Sequence, residues 1–188
     1  MKFPLYVLLC IVTLVSFSSA QTNPTPHVLS GGNYTFTSWD ASSPAGSYPL
    51  NMRFHRGPSQ DPGLTAEPNA DYTGAYNGTS GSRMNGLGAD GFSWRNIGTE
   101  GNLGAAVLAL NTTGLSNIYV SWTGGTVAID ATTREYRIRL QYRVGTGGSF
   151  ADVPGPIEYT STAPAGHSQD FGPTLLPAAV NNLFDKFR

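Results

Sequence analysis

The stretch from Arg134 to Val144 constrains the fold more than any other part of this sequence. Tyr136, Ile138, Leu140, Tyr142 and Val144 alternate there with Glu135, Arg137, Arg139, Gln141 and Arg143. Successive side chains of a strand point to opposite faces, so the pattern describes one core face and one wet face. No window of comparable length repeats at helical spacing. Shorter stretches follow the same period. Tyr34 to Trp39 reads as a strand, Leu50, Met52 and Phe54 line one face of a second, and Phe92 and Trp94 belong to a third. Ala105 to Leu110 is apolar enough to be covered on both faces. Ile118, Val120 and Trp122 share a face, and Val127 with Ile129 makes a short strand after Gly124-Gly125. Only 12% of residues are charged, against 23 glycines and 13 prolines, which suits strands joined by many turns rather than helices. The expectation is an all-β protein, an antiparallel sandwich or barrel.

The N-terminus follows a different logic. Lys2 gives a short positive region, Leu5 to Phe17 an apolar one, and Ser18-Ser19-Ala20 places small residues at the positions that precede a cleavage before Gln21. That order describes a secretory signal over residues 1–20, and the apolar run is short of the ~20 residues a membrane span needs. The single cysteine, Cys10, lies inside it. The exported protein would therefore carry no thiol, which excludes disulfides, cysteine zinc sites and a cysteine nucleophile. Residues 21–32, with prolines at 24 and 26, read as an extended leader, and residues 33–188 as one domain. A formal net charge of −1 leaves no electrostatic footprint for nucleic acid or anionic lipid. After removal of the signal, no membrane span is expected.

The polar segment from Gly57 to Arg83 shows no alternation, and loops of more than ~15 residues inside a compact domain are often functional. Asp61, Glu67 and Asp71 on it offer oxygen donors to calcium, but their spacing matches no EF-hand, so a plain solvated loop is the competing reading. Trp39, Trp94 and Trp122, with Tyr72 and Tyr76, present flat apolar faces with polar edges, suited to stacking on a sugar or to building a core. Trp122 shares its face with Ile118 and Val120 and reads as core. Tyr72 and Tyr76, placed on the loop, are the better ligand-binding candidates, with Trp39 and Trp94 beside them. Arg137, Arg139 and Arg143 form a one-sided basic row, which either meets an acidic partner or pairs with carboxylates on the next strand.

No residue pattern announces catalysis. His27, His55 and His167 sit in no metal-binding spacing, His55 being on the polar side of its strand. There is no H-E-x-x-H and no G-x-S-x-G; Gly78-Thr79-Ser80-Gly81-Ser82 has its glycines in the wrong places for a nucleophile elbow. Asp90, Glu100, Asp130, Asp152 and Glu158 fall at strand ends or turns, where a dispersed carboxylate pair for a small hydrolase competes with ordinary solvated turn residues. Asn33, Asn77 and Asn111 each begin an N-x-[ST] sequon.

Two stretches resemble something specific. Arg83-Met84-Asn85-Gly86-Leu87-Gly88-Ala89-Asp90-Gly91-Phe92-Ser93 is similar to an R-x-N-G-L-G-x-D-G-x-S signature. Leu140-Gln141-Tyr142-Arg143-Val144-Gly145, followed by Phe150 and Val153-Pro154-Gly155, is similar to an L-Q-Y-R-x-G…F…V-P-G signature. Both belong to an N-terminal β-sandwich region of secreted multidomain proteins of Bacteroidetes-type bacteria, and Gly104 to Trp122 fits it as well. The resemblance covers roughly residues 30–180. It implies a jelly-roll-like antiparallel β-sandwich acting as a non-catalytic accessory or interaction module, secreted or at the cell surface. In that family the region precedes a nuclease, phosphatase, lamin-tail-like or sorting domain, so no cofactor and no catalytic residue carries over. The partner would be another domain of a larger secreted protein, or a glycan if the protein is a carbohydrate-binding module. The family pattern continues beyond Asn182 into a further strand, whereas this sequence ends Leu183 to Arg188, which implies a sandwich lacking its last strand. In a bacterial protein the three sequons read as chance.

Overall fold

The computed structural model describes residues 23–59, 70–97, 101–128, 135–155, 157–161 and 164–183. These residues form an all-β protein; apart from two single-turn 3-10 segments at Leu29–Gly31 and Ala178–Val180, their regular structure is strand. In sequence order the strands are β1 (His27–Val28), β2 (Met52–Ser59), β3 (Ala70–Asp71), β4 (Arg83–Gly86), β5 (Phe92–Arg95), β6 (Gly101–Leu108) and β7 (Leu110–Asn111). They continue with β8 (Tyr119–Gly125), β9 (Arg137–Arg139), β10 (Gln141–Tyr142), β11 (Ala151–Asp152), β12 (Glu158–Thr160) and β13 (Ser168–Leu175). The pairings β3-β2-β6, β4-β5, β8-β13, β9-β12 and β10-β11 are antiparallel, and β1 lies parallel to β7.

The β2–β6 pair organises the apolar interior. Met52 faces Leu108 and Phe54 faces Ala106 across the ladder. Met52, Phe54 and Ala106 join a cluster with Tyr72, Tyr76 and Met84, on which Trp39, Tyr48, Phe92 and Trp94 pack. Leu108 and Leu110, farther along the same run, join a second cluster with Ile118, Val153, Leu176 and Val180. The expectation that Ala105 to Leu110 is covered on both faces holds: Val107, pointing away from Ala106 and Leu108, is also buried. Burying apolar side chains at ~25 cal/mol per Å² is what stabilises such clusters, and this short run feeds both.

The second cluster is closed by the last of the described residues. Thr112 Oγ1 donates to the Val180 carbonyl at 2.7 Å and accepts from the Leu183 N–H at 3.0 Å, while the Thr112 N–H donates to the Leu183 carbonyl. The Asn182 side chain accepts from the Gly114 N–H at 2.8 Å. Thr112 is itself buried, so these bonds satisfy polar groups that would otherwise be costly in an apolar setting.

β8 and β13 show how local sequence sets local shape. Val120 and Trp122 point inward and Tyr119, Ser121 and Thr123 outward, as the alternation required. Trp122 stacks on its cross-strand partner Phe171, with ring centroids 4.4 Å apart and planes 12° apart. Between the Phe171–Trp122 and Thr174–Val120 pairs, Gly172 and Pro173 stand opposite Ser121 alone, which is a β-bulge. Proline has no N–H to give a ladder, and a bulge is where a strand tolerates that.

Several sequence expectations need correction. Leu50 does not share the face of Met52 and Phe54: it is 81% exposed, in a turn that passes through the left-handed Asn51. Tyr34 to Trp39 makes no ladder; only Trp39 bridges, exchanging main-chain hydrogen bonds with Gly88 at 2.9 and 3.0 Å. The segment after Gly57 is not uniformly irregular, because β2 runs on to Ser59 and β3 pairs back onto it. Gly124-Gly125 ends β8, and Val127 beyond it, expected in a short strand, is exposed and outside any strand. The leader is not free either: β1 pairs with β7, and Asn51 donates to the Thr25 carbonyl. Along Arg134 to Val144 the alternation holds from Arg137 through Tyr142 and then reverses, with Arg143 buried and Val144 exposed, while Tyr136, expected on the core face, is exposed. His55 is buried rather than on a wet face. Residues 1–20, Asp61, Glu67, Glu100, Ile129, Asp130 and Arg134 lie outside the described residues.

The packing yields a direct contrast between two glycines. A Cβ on Gly124 would lie 2.6 Å from the Tyr159 Cβ, whereas one on Gly147 would meet nothing within 4 Å. Gly124→Ala is expected to cost ~1–3 kcal/mol by overpacking, which lowers the melting temperature by ~2–4 °C per kcal/mol in a domain of this size. Gly147→Ala should leave the thermal melt unchanged.

Candidate functional site

The four aromatic residues singled out from sequence, Trp39, Tyr72, Tyr76 and Trp94, do come together. They meet in the cluster built on Phe54, and the way they meet decides what they can do. Tyr76 packs edge-on against Trp39 at 5.3 Å and against Phe54 at 6.0 Å, and tilts on Tyr72 at 5.7 Å. Trp94 stands edge-on to Phe92 at 5.1 Å. Each such pair contributes ~0.5–1.5 kcal/mol beyond area burial.

Tyr72 and Tyr76 are therefore core residues, contrary to their expected place on an open loop: they are 6% and 0% exposed. Their ring faces are spent on neighbours and offer no platform to a sugar. Their hydroxyls are spent too. Tyr72 donates to the Ala75 carbonyl at 2.9 Å, Tyr48 donates to the Tyr72 carbonyl at 2.7 Å, and Tyr76 donates to the Ser47 carbonyl. Burial pushes the Tyr76 phenol far above its ordinary range, with smaller upward contributions from Tyr48 and Tyr72, and burial raises Tyr48 as well. Trp39 and Trp94 are only half-buried, the least enclosed of the four.

The first signature stretch wraps this cluster. β4 and β5 pair from Arg83–Arg95 to Gly86–Phe92, and Leu87 to Gly91 form the turn. Each glycine in it has a structural reason. Gly88 and Gly91 have φ of 64° and 96°, a region that side chains rarely adopt. A Cβ on Gly86 would sit 2.5 Å from the Trp39 carbonyl oxygen. Asp90 is an exposed turn residue, its N–H donating to the Leu87 carbonyl at 3.3 Å.

The second signature stretch forms the β10–β11 hairpin. Arg143 is buried, with its guanidinium 4.3 Å above the Phe150 ring and Nη1 donating to the Gly148 carbonyl at 2.8 Å. That anchor across the turn is why the alternation reverses after Tyr142. Gln141 reaches Asp152 at 2.8 Å, and Val153 enters the second apolar cluster.

The basic row has two exposed members, and both are paired. Arg137 contacts Glu135 at 2.6 Å and Glu158 at 3.3 Å, while Arg139 contacts Glu158 at 2.7 Å and Asp152 at 3.2 Å. The hydrogen bond to Glu135, then the charges of Glu135 and Glu158, hold the Arg137 guanidinium above its ordinary value. Asp152 and Glu158, candidates for a carboxylate pair, thus sit on the arginines of the facing strand. Of the remaining acids, Asp90 is an exposed turn residue, and Glu100 and Asp130 lie outside the described residues.

Sequence reasoning gave no hint of two further arrangements. His55, buried on β2, approaches Asp71 on β3 with Nε2 3.5 Å from Oδ1. Asp71, one of the proposed calcium donors, thereby faces an imidazole. The buried Tyr159 hydroxyl lies 2.6 Å from Thr126 Oγ1 and 3.3 Å from His167 Nδ1. Neither pair has a sequence spacing that announces it. Among the described residues no group of three or more His, Cys, Asp or Glu side chains gathers as a metal site, and no helix is long and apolar enough to cross a membrane. No protein-family model, curated protein or solved structure matches this sequence.

The buried phenols make stability fall in alkali. A phenol whose folded pKa is raised keeps its full contribution below the unfolded value of 10.0 and loses it as pH climbs through the folded one. Unfolding midpoints in denaturant should therefore drop as pH rises above about 10. At neutral pH, Tyr76→Phe removes the bond to Ser47 and should cost ~1–2 kcal/mol in the same titration. A Tyr76→Phe protein as stable as the parent would mean that this hydroxyl is idle.

Proposed function

We propose that this protein is an exported, non-catalytic accessory module, a jelly-roll-like β-sandwich that serves a larger secreted or cell-surface protein by structure and contact rather than by chemistry. The observation that carries this reading is the use to which the two signature stretches are put. Gly86, Gly88 and Gly91 close one hairpin over the aromatic cluster, and Arg143 with Phe150 locks another. Motif residues that serve turns and packing suit a module whose identity lies in its fold. The paired arginines and carboxylates along β9 to β12 support the same reading, since charges neutralised by neighbours are poorly placed for acid–base work.

A carbohydrate-binding module is the second reading. Trp39 and Trp94 support it by being only half-buried, whereas the burial of Tyr72 and Tyr76 takes away half of the platform it would use.

The protein from Gln21 onward is the form to test, against ester, glycoside and phosphoester substrates and on a glycan array. The expected result is no turnover and no saturable glycan binding. Turnover abolished by replacing one of Asp90, Glu100, Asp130, Asp152 or Glu158 with alanine would make the protein an enzyme. Glycan binding lost in Trp94→Ala, with an unchanged thermal melt, would make it a carbohydrate-binding module.

A further inference from the structure

Two Asn-Gly dipeptides, Asn77-Gly78 and Asn85-Gly86, lie beside each other in the wall of the aromatic cluster, joined by the isolated bridge between Asn77 and Asn85. An asparagine followed by glycine is open to intramolecular attack, because glycine has no side chain to hinder its own nitrogen and is free in its backbone angles. The two sites differ in exposure and in how the asparagine side chain is anchored. Asn77 is exposed. Asn85 is half-buried within β4, and its amide nitrogen Nδ2 donates to the Gly78 carbonyl at 3.1 Å. The nitrogen that would attack Asn85 belongs to Gly86. It donates to the Tyr76 carbonyl at 2.9 Å, and Gly86 is wedged against the backbone of Trp39 and Asp40.

From this contrast we infer that Asn77 is a site of spontaneous backbone modification, converting to aspartate and isoaspartate, and that the fold protects Asn85 from the same reaction. The deprotonated Gly78 nitrogen attacks Cγ of Asn77. A bond forms between that nitrogen and Cγ, closing a succinimide, and the bond from Cγ to Nδ2 breaks to release ammonia. Water then adds to one of the two ring carbonyls and opens the ring, giving aspartate or isoaspartate. One amide and one water become one carboxylic acid and one ammonia, with no change of oxidation state. At Asn85 the same cyclisation would require the Gly86 nitrogen to leave Tyr76 and the Asn85 amide to leave Gly78.

The consequence reaches the core. Isoaspartate inserts a methylene into the backbone between Tyr76, which is fully buried, and Gly78, whose carbonyl holds Asn85. Modified molecules should melt at a lower temperature than unmodified ones.

The test is to age the purified protein at body temperature in mildly alkaline buffer, native and in concentrated urea, and to map the peptides with fragmentation that distinguishes isoaspartate. The expected result is conversion at residue 77 and retention of Asn85 in the native sample, with conversion at both in urea. Asn77→Gln should remove the native product and keep the thermal melt sharp on ageing. Native conversion at Asn85 as fast as at Asn77 would overturn the proposal. So would an Asn77 that stays intact in the native protein while converting in urea.

Discussion

The antiparallel pairing of β2 with β6 is the constraint on which the rest of the structure depends. It sets Phe54 against Ala106 and Met52 against Leu108, so that neighbouring inward positions feed two separate apolar clusters. Small domains have little apolar area to spare, and a run that serves both clusters ties their stabilities together. β3 adds to the free side of β2, and its continuation carries the Tyr72 N–H to the Phe54 carbonyl at 2.8 Å. That bond delivers Tyr72 and then Tyr76 to the cluster. Leu110, at the other end of the run, starts the strand that receives β1.

Around this axis the protein uses its aromatic and glycine residues as complementary devices. Rings fill volume edge-to-face, and glycines let the backbone approach rings and other backbone closely. Gly86 beside Trp39 and Gly124 beneath Tyr159 are two such places. Chemistry-bearing side chains are drawn into the same arrangement: phenols donate to carbonyls, arginines lie on carboxylates or on a ring, and a histidine approaches an aspartate inside the sheet. This is what supports the accessory role we propose.

Much of the fold is legible in the sequence, and the failures have physical causes. The strand class and the inward positions of Phe92, Trp94, Val120, Trp122, Ile138, Leu140 and Tyr142 follow from period-two alternation, which a strand covered on one face writes directly into its own sequence. Tyr72 and Tyr76 read as loop residues and are not. Their segment lacks alternation, and the rings that cover Tyr76 come from Phe54 on β2 and from Trp39, far away in sequence. Arg143 reads as wet because its cover is Phe150, reached through a turn. The pairing of His27–Val28 with Leu110–Asn111 is non-local and parallel, and two residues carry no period to read. Of the candidate site, sequence supplies the right residues and the wrong environment: the four aromatics converge, but two of them as core.

The most direct test of the central claim, that the signature residues serve the fold, is native-state hydrogen exchange resolved to single amides. Buried ladder bonds open only with large-scale unfolding, while residues free to engage a ligand sit in locally labile segments. The account predicts that the amides of Trp39, Tyr72 and Gly86, which donate to Gly88, Phe54 and Tyr76, exchange together and as slowly as those of the β2–β6 ladder. Fast, independent exchange across the Gly86–Gly91 hairpin, with β2 and β6 still protected, would contradict it.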